Sequence, residues 1–422
     1  MAGPLPRHLL PDSAEIHGGR LSIAGCDVLA LAGEHGTPLF IYDEQHLRAR
    51  CREAVAAFPG GATYATKAFL CTAMARLVHE EGMLLDVATG GELHVALHAG
   101  VPAASLVLHG NNKSEDELRT ALDAEVGRIV VDSFDELDRL ERLSAGRARR
   151  PRILVRVTPG VEAHTHEFVA TGHDDTKFGF TASTGAAAAA VERVRSSPHL
   201  HFAGVHAHIG SQVFRLASFE QAARIVARLA APFEVEELSV GGGLGVSYLE
   251  GDTSPTITEW GRAVTAACRE EGITAPILAE PGRSIAAGAA ITVYTVGTIK
   301  ELPGIRTYVA VDGGMSDNPR PVLYGSGYET FLPRAADAAR PRAVTVVGKH
   351  CESGDVLVRR GWVPDDLAVG DLLATPVTGA YGHSMGSNYN KVPRPALVFC
   401  RDGTARLVVR RETLADLVRL DV

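Results

Sequence analysis

Six lysines stand against thirty-six arginines in this chain. Arginine therefore serves wherever a positive charge alone suffices, and each lysine asks for a reason. Lys67 lies in Ala62-Thr63-Tyr64-Ala65-Thr66-Lys67-Ala68-Phe69, a run that otherwise reads as a buried strand. Unlike a guanidinium, a lysine amine can lose its proton when desolvated and attack a carbonyl. A strand-end lysine that reaches back to solvent fits the same eight residues, and the segment alone leaves both readings open. Glu280 closes another apolar run, in Ile277-Leu-Ala-Glu-Pro-Gly-Arg-Ser284. A carboxylate there could hold a ring nitrogen protonated, and the Pro-Gly turn could aim Arg283 back at it; a surface Glu–Arg pair is the alternative. Leu238-Ser-Val-Gly-Gly-Gly-Leu-Gly245 follows a third run. Glycines let backbone N–H groups approach an anion closely, although they also make tight turns. No acidic ribose partner follows in a βαβ frame, which disfavours a dinucleotide site. His206 and His208, two residues apart, are expected on one strand face. They could ligate a metal or stack on an aromatic ring, but no third ligand at suitable spacing is evident and no metal is expected.

These residues need a frame that brings them together. Between positions 60 and 285, short apolar runs alternate with helical stretches such as Glu117–Asp123, Phe134–Leu143 and Gly185–Arg195. The runs end at Thr66-Lys67, Leu85-Asp86, Leu108-His109, Val131-Asp132, Val155-Arg156, His206-Ala-His208, Val240-Gly241 and Ala279-Glu280. Eight β-α units in succession predict a (β/α)8 barrel, whose active site lies at the C-terminal ends of the strands. That is where the Lys, Asp, His, Arg, Gly and Glu residues fall. Past Gly282 the pattern turns mostly β: Ala290–Lys300, Thr307–Val311, Ala343–Lys349, Val356–Val358, Asp371–Thr375, Ala396–Cys400 and Ala405–Arg410 read as strands between Gly, Pro and Asp turns. Leu21-Ser-Ile23 and Leu29-Ala-Leu31 read as two more, expected to join that domain. The expected division is a barrel over residues 38–283 and a β domain made of residues 1–37 and 284–422.

The length of 422 residues calls for two domains. A hydrophobic fraction of 45% and a charged fraction of 22% are those of a water-soluble globular chain. The net charge of −8, with no basic block, argues against a nucleic-acid partner. No apolar leader is seen near the start and no run of about twenty apolar residues follows, so neither secretion nor a membrane span is expected. The six cysteines are scattered without CxxC spacing, so the chain is expected to be cytoplasmic with reduced thiols.

A reactive lysine, an anion cradle, a carboxylate for a pyridine nitrogen and a ring-stacking imidazole converge on pyridoxal 5′-phosphate. The chain resembles the fold-type III pyridoxal-phosphate decarboxylases, the ornithine/diaminopimelate decarboxylase family, nearly end to end. The anchors are Tyr64-Ala-Thr-Lys-Ala68, Thr89-Gly-Gly-Glu-Leu93, His109-Gly-Asn-Asn-Lys113, Lys177-Phe-Gly179, His206-Ala-His-Ile-Gly-Ser-Gln212, Glu280-Pro-Gly-Arg283, Arg320-Pro-Val-Leu-Tyr324, Cys351-Glu-Ser-Gly-Asp355 and Gly379-Ala-Tyr381. Thr89 stands where serine is commoner, and His383 where tyrosine is expected.

The resemblance implies the roles. Lys67 would hold the cofactor covalently. His208 would stack on its ring and Glu280 would pair with the ring nitrogen. Ser211, Gly243, Gly245, the backbone near Arg283, and Tyr381 would bind the phosphate. Arg283, Arg320, Tyr324 and Tyr381 would grip the substrate. Cys351 and Glu352 would reach the site from the other subunit of a homodimer with shared active sites. Cys351 or Lys67 would return the proton. The implied reaction is decarboxylation of meso-2,6-diaminopimelate to L-lysine and CO2. The alternatives are a related decarboxylase of another amino acid, an amino-acid racemase (disfavoured by Glu280), a non-catalytic pyridoxal-phosphate protein, and a barrel that binds some other phosphate.

Overall fold

The structure is a computed structural model that describes residues 2–161 and 172–422. It divides into two compact units, Arg50–Gly245 with Ser254–Ser284, and Met1–Ala49 with Val246–Thr253 and Ile285–Val422. Among the described residues no helix is long and apolar enough to cross a membrane.

The first unit is the barrel. Its strands are β1 (Thr63–Ala65), β2 (Leu84–Val87), β3 (Leu106–Leu108), β4 (Arg128–Val131), β5 (Arg152–Thr158), β6 (His201–Ala207), β7 (Glu237–Ser239) and β8 (Ile277–Leu278). Each pairs parallel with the next. The ring closes where Thr63 N donates to Ala279 O at 2.8 Å and Ala65 N donates to Pro281 O at 3.2 Å. Helices α1 (Thr72–Glu80), α2 (Gly90–His98), α3 (Glu115–Ala124), α4 (Phe134–Ser144), α5 (Ala186–Ser196), α6 (Leu216–Ala230) and α7 (Ile257–Glu270) lie between strands. Local sequence sets their starts. Ser114 and Glu117 form a reciprocal capping box at α3, and Thr256 and Glu259 form another at α7. Glu117 also accepts the Gly90 N–H at 2.7 Å, which ties the start of α2 to that of α3.

Inside the ring, Val107, Val130, Leu154 and Ala203 form a buried layer, one residue from each of β3 to β6. At the N-terminal end, Arg128 of β4 makes a two-pronged bond to Glu237 of β7. β6 passes so close to β7 that a Cβ at Gly204 would lie 1.8 Å from Glu237 O, so only glycine fits there.

In the second unit one sheet runs Val356–Val363, Arg342–Val347, Arg306–Val311, Ala290–Leu302, Leu39–Asp43, Ala396–Arg401 and Thr404–Val409, with Leu372–Pro376 also paired to Ala290–Leu302. All seven C-terminal runs read as strands are strands. Two N-terminal expectations change. Leu39–Asp43, which falls within the range 38–283 expected for the barrel, is instead inserted between Ala290–Leu302 and Ala396–Arg401, and such long-range pairing leaves no local trace. Leu29-Ala-Leu31 is not a strand but lies in the helix Val28–His35, begun by Asp27, whose side chain accepts the Ala30 N–H. Leu21–Ile23 is a strand, in a separate three-stranded sheet of Ala14–His17, Arg20–Ile23 and Cys26–Asp27.

Candidate active site

The strand ends converge on one buried cluster. Glu280 follows β8 and is 7% exposed. Its carboxylate accepts from His206 Nε2 at 2.9 Å and from Ser239 Oγ at 3.0 Å, and its Oε1 lies 3.4 Å from His109 Nε2. Burial raises a carboxyl pKa, but His206 and His109 outweigh it, and Glu280 is held well below the usual range. It is therefore ionised at neutral pH. His206 shifts the other way, its pKa lowered chiefly by burial. The neutral ring donates through Nε2, and its Nδ1 has no partner. For His109, burial pulls the pKa down, yet Asp86 and Glu280 together move it up. Asp86, also buried, is raised by desolvation, with Lys67 and the two imidazoles opposing. Glu280 thus carries a fixed negative charge beside two imidazoles.

Lys67 sits at the rim of this cluster. The sequence put it at the end of a run that reads as a buried strand, with a lysine reaching solvent as the open alternative. In the structure β1 stops at Ala65, and Lys67 is exposed in a 3₁₀ turn, Thr66–Ala68. Two bonds fix that turn: Thr66 Oγ1 donates to Asp86 O at 2.7 Å, and Tyr64 OH donates to Phe69 O at 2.9 Å. The ammonium is near enough to Asp86, Glu92 and His208 to bias the charge of each.

His206 and His208 do not work as a pair. β6 ends at Ala207, and His208 turns to accept the Gly242 N–H on its Nδ1 at 3.1 Å. Burial, Lys67 and Arg156 keep its pKa well below the ordinary value, so the ring is neutral and fixed in orientation. The third ligand that spacing did not reveal comes from other strands. Ligand atoms of His109, His206 and Glu280 lie within 4.8 Å of one another, but Glu280 is already bonded by His206 and Ser239, with His109 Nε2 3.4 Å away.

The glycine segment is a cradle with no room for side chains. Gly241 (φ +66°) and Gly243 (φ +114°) have left-handed backbone. A Cβ at Gly241, Gly242 or Gly243 would lie 2.2, 2.1 or 2.1 Å from a carbonyl oxygen. The N–H groups of Gly241, Gly242 and Gly245 are committed to Ser239 Oγ, His208 Nδ1 and Val213 O. Gly245 therefore shapes the cradle without offering its own donor. Ser211 Oγ accepts from Arg283 Nη2 at 3.0 Å, so these two form one polar station beside the cradle.

The sequence marked Asp86, His109 and Arg156 as polar strand ends but gave them no individual role in the chemistry; His206 it offered only jointly with His208, and Ser239 it noted only within the glycine run. Arg156 is buried, 4.3 Å above the Phe178 ring and 3.8 Å from Asp132. Lys113 Nζ donates to Gly110 O (2.6 Å) and Val130 O (2.7 Å) and pairs with Glu136 Oε1 (2.7 Å), pinning the segment that carries His109.

The remaining candidates lie in the second unit. Arg320 is 3% exposed and packed against two phenol rings, 4.2 Å from the Tyr248 centroid and 5.5 Å from that of Tyr328, whose hydroxyl it bonds. Its Nε makes no hydrogen bond, and no carboxylate pairs with it among the described residues. Tyr324, four residues on, is half-buried. Tyr381 has φ +58° and Val377 φ +59°, rare for bulky side chains and a mark of a constrained functional loop. Cys351 and Glu352 are exposed. His383 is buried edge-on to Phe40, its pKa lowered to about 4 by burial and Arg394, so it packs as a neutral aromatic ring.

The comparisons agree with this geometry. Residues 44–287 match the model of the pyridoxal-dependent decarboxylase pyridoxal binding domain. The diaminopimelate decarboxylase of Mycobacterium tuberculosis (strain CDC 1551 / Oshkosh) is 49% identical, over 96% of this chain and 95% of its own. That of Bacillus subtilis (strain 168) is 46% identical with the same coverage. The crystal structure of diaminopimelate decarboxylase from M. jannaschii in complex with L-lysine superposes with a TM-score of 0.90 at 31% identity, over 97% of this chain and 98% of that one. With its barrel, its buried ionised Glu280 and these relatives, the chain belongs to the pyridoxal-dependent decarboxylase family, in the branch whose named members are diaminopimelate decarboxylases.

Proposed function

We propose that the chain removes CO2 from meso-2,6-diaminopimelate to give L-lysine, using pyridoxal 5′-phosphate. The observation that carries the reading is Glu280: a buried carboxylate kept ionised by two imidazoles and a serine hydroxyl. The glycine cradle supports the same reading, because Gly242 packs directly on the Glu280 backbone, where a Cβ would lie 2.1 Å from Glu280 O, so the cradle and the carboxylate belong to one site. Bound pyridoxal phosphate supplies an electron sink for the pair released as the carboxyl group leaves; a proton then takes the vacated position on the same carbon.

The chain's own residues divide the remaining work. Lys67, exposed at the rim, offers the amine. Glu280 would keep a proton on the ring nitrogen, and His208 would stack on the ring. Ser211, Gly243 and Tyr381 would hold the phosphate, with Arg283 orienting Ser211. Arg320 receives a substrate carboxylate, supported by its buried guanidinium that lacks a carboxylate partner. Tyr324 lies beside it. Holding the substrate in one rotamer, so that the bond to be broken stands perpendicular to the ring, is the orientation effect these contacts provide. Cys351 and Glu352 complete the site from across a homodimer, Cys351 as proton donor and Glu352 facing a substrate ammonium. We assign the protein to the cytoplasm.

Release of CO2 from meso-diaminopimelate, ornithine, arginine and lysine tests the substrate; faster turnover of any but the first overturns it. Mixing inactive Lys67→Ala with inactive Glu352→Ala tests the shared site. Subunit exchange should return up to about a quarter of wild-type activity, because each heterodimer carries one intact site. No recovery despite proven exchange refutes sharing.

A further inference from the structure

His350, next to Cys351, was singled out by no sequence reading. It lies in the turn between strands Arg342–Val347 and Val356–Val363. The backbone of this turn is pinned to residues 313–315. Lys349 N donates to Gly313 O at 3.0 Å, and the buried Asp355 carboxylate accepts from His350 N (3.0 Å) and Met315 N (2.7 Å). The approach is so close that a Cβ at Gly348 would lie 2.1 Å from Asp355 Oδ2.

The His350 imidazole then joins three segments. Its Nε2 lies 2.8 Å from Ser316 Oγ, and its Nδ1 lies 3.2 Å from Asn390 Oδ1. That same Asn390 oxygen accepts the Cys351 N–H at 3.1 Å. An amide oxygen only accepts, so Nδ1 carries a proton. The ring packs on Tyr389 with centroids 5.3 Å apart, and Tyr389 OH reaches Glu352 Oε2 at 3.5 Å. Asn390 and Lys391 have φ of +52° and +56°. Two successive non-glycine residues in left-handed backbone persist only where surrounding contacts over-determine them.

We infer that His350 is a positioning residue, which clamps the Cys351–Glu352 turn between the Ser316 and Tyr389–Asn390 segments so that thiol and carboxylate are presented in one geometry. The inference rests on the proposed role of Cys351 and Glu352 in the site, but the clamp can be measured without reference to the reaction. The test uses the holoenzyme and the variants His350→Ala, His350→Gln and Asn390→Gly; glycine keeps the left-handed backbone and removes only the shared acceptor. Amide hydrogen exchange over residues 349–356 should accelerate at least about tenfold in His350→Ala and Asn390→Gly, the worth of one buried hydrogen bond, and less in His350→Gln, which retains a donor and an acceptor. kcat/KM should fall about as far in His350→Ala and recover in part in His350→Gln, with the cofactor absorbance and unfolding midpoint unchanged. Unchanged exchange overturns the clamp, and so does faster exchange with wild-type kcat/KM. If His350→Ala does not fold, Asn390→Gly decides by the same two readings. Wild-type turnover in Cys351→Ala and Glu352→Ala would defeat the proposed role of the turn, while exchange would still decide the clamp.

Discussion

Glu280→Gln isolates the charge at the centre of the site. Wild-type Glu280 accepts bonds from His206 Nε2 and Ser239 Oγ, with His109 Nε2 3.4 Å away. Glutamine keeps the shape and one acceptor oxygen, so one of the two donors comes to face an NH2 group. The fold can absorb this. Ser239 Oγ already accepts from Gly241 N and can rotate its proton. His206 can move its proton to Nδ1, which has no partner, and accept through Nε2. Folding stability should therefore change by no more than about 1 kcal/mol, the scale of one neutral hydrogen bond. The loss falls on catalysis. A charge-assisted hydrogen bond is worth about 1.5–3 kcal/mol, or roughly a ten- to hundredfold drop in kcat. Without the charge, His109 also loses one of the two carboxylates that raise its pKa and should titrate lower. The assay is CO2 release at saturating substrate, with cofactor occupancy followed by absorbance and stability by urea unfolding. A kcat within about twofold of wild type, cofactor fully bound, would refute the reasoning, because the change would lie well below the worth of a charged bond. A fall in stability as large as the fall in activity would make Glu280 a structural residue.

Lys113→Met should cost about 3–5 kcal/mol of stability, because it strands Glu136 as an unpaired buried carboxylate; urea unfolding measures it. Lys113→Met with Glu136→Leu should regain most of the loss, and a single-variant cost below about 1 kcal/mol would refute the pairing. Asp317 gives a pH signature. Burial raises its pKa to about 7, with Asp312 and Asp355 adding to the shift. Folding therefore raises the pKa of an acid whose ordinary value is 3.8. The native state binds a proton that the unfolded chain has lost, so this contribution is full below about pH 4 and fades as pH rises through about 7. Asp317→Asn should flatten stability between pH 5 and 8 by up to about 3 kcal/mol, and an identical pH slope in variant and wild type would overturn it.

Most of the barrel was readable because its strands are short apolar runs whose last residues are polar, and both features are local. The C-terminal strands were readable for the same reason, being separated by turn residues. What failed was contact across the chain. Leu39–Asp43 looks like any apolar strand; only its neighbours, some 250 and 350 residues away, place it in the second unit's sheet. His206 and His208 look equivalent at a spacing of two until β6 stops between them. Glu280, 74 residues from His206, then claims one ring, and Gly242 claims the other. The helix Val28–His35 was legible in principle: Asp27 ahead of Val-Leu-Ala-Leu-Ala is an N-cap signal, and the apolar spacing was read as a strand instead.

The scarcity of lysine identified positions that need an ammonium, but it could not say why. Lys67 and Lys113 are both in anchors of the same family resemblance, and only exposure separates their uses. Lys113 is 2% exposed; its Nζ donates to two backbone carbonyls at 2.6 and 2.7 Å and forms an ion pair with Glu136 Oε1 at 2.7 Å. A planar guanidinium cannot place donors on three such directions, so this lysine is kept for hydrogen-bond geometry. Such an amine, saturated and buried behind the strands, has no lone pair to offer. Lys67 is exposed in a turn fixed by Thr66 and Tyr64, beside Asp86 and His208. Its backbone is held while its side chain is exposed, which is compatible with the amine role we propose for it. Burial first drew attention to Lys67, but the fold leaves it exposed and buries Lys113 instead, and it is on the accessible lysine that we place the reactive amine.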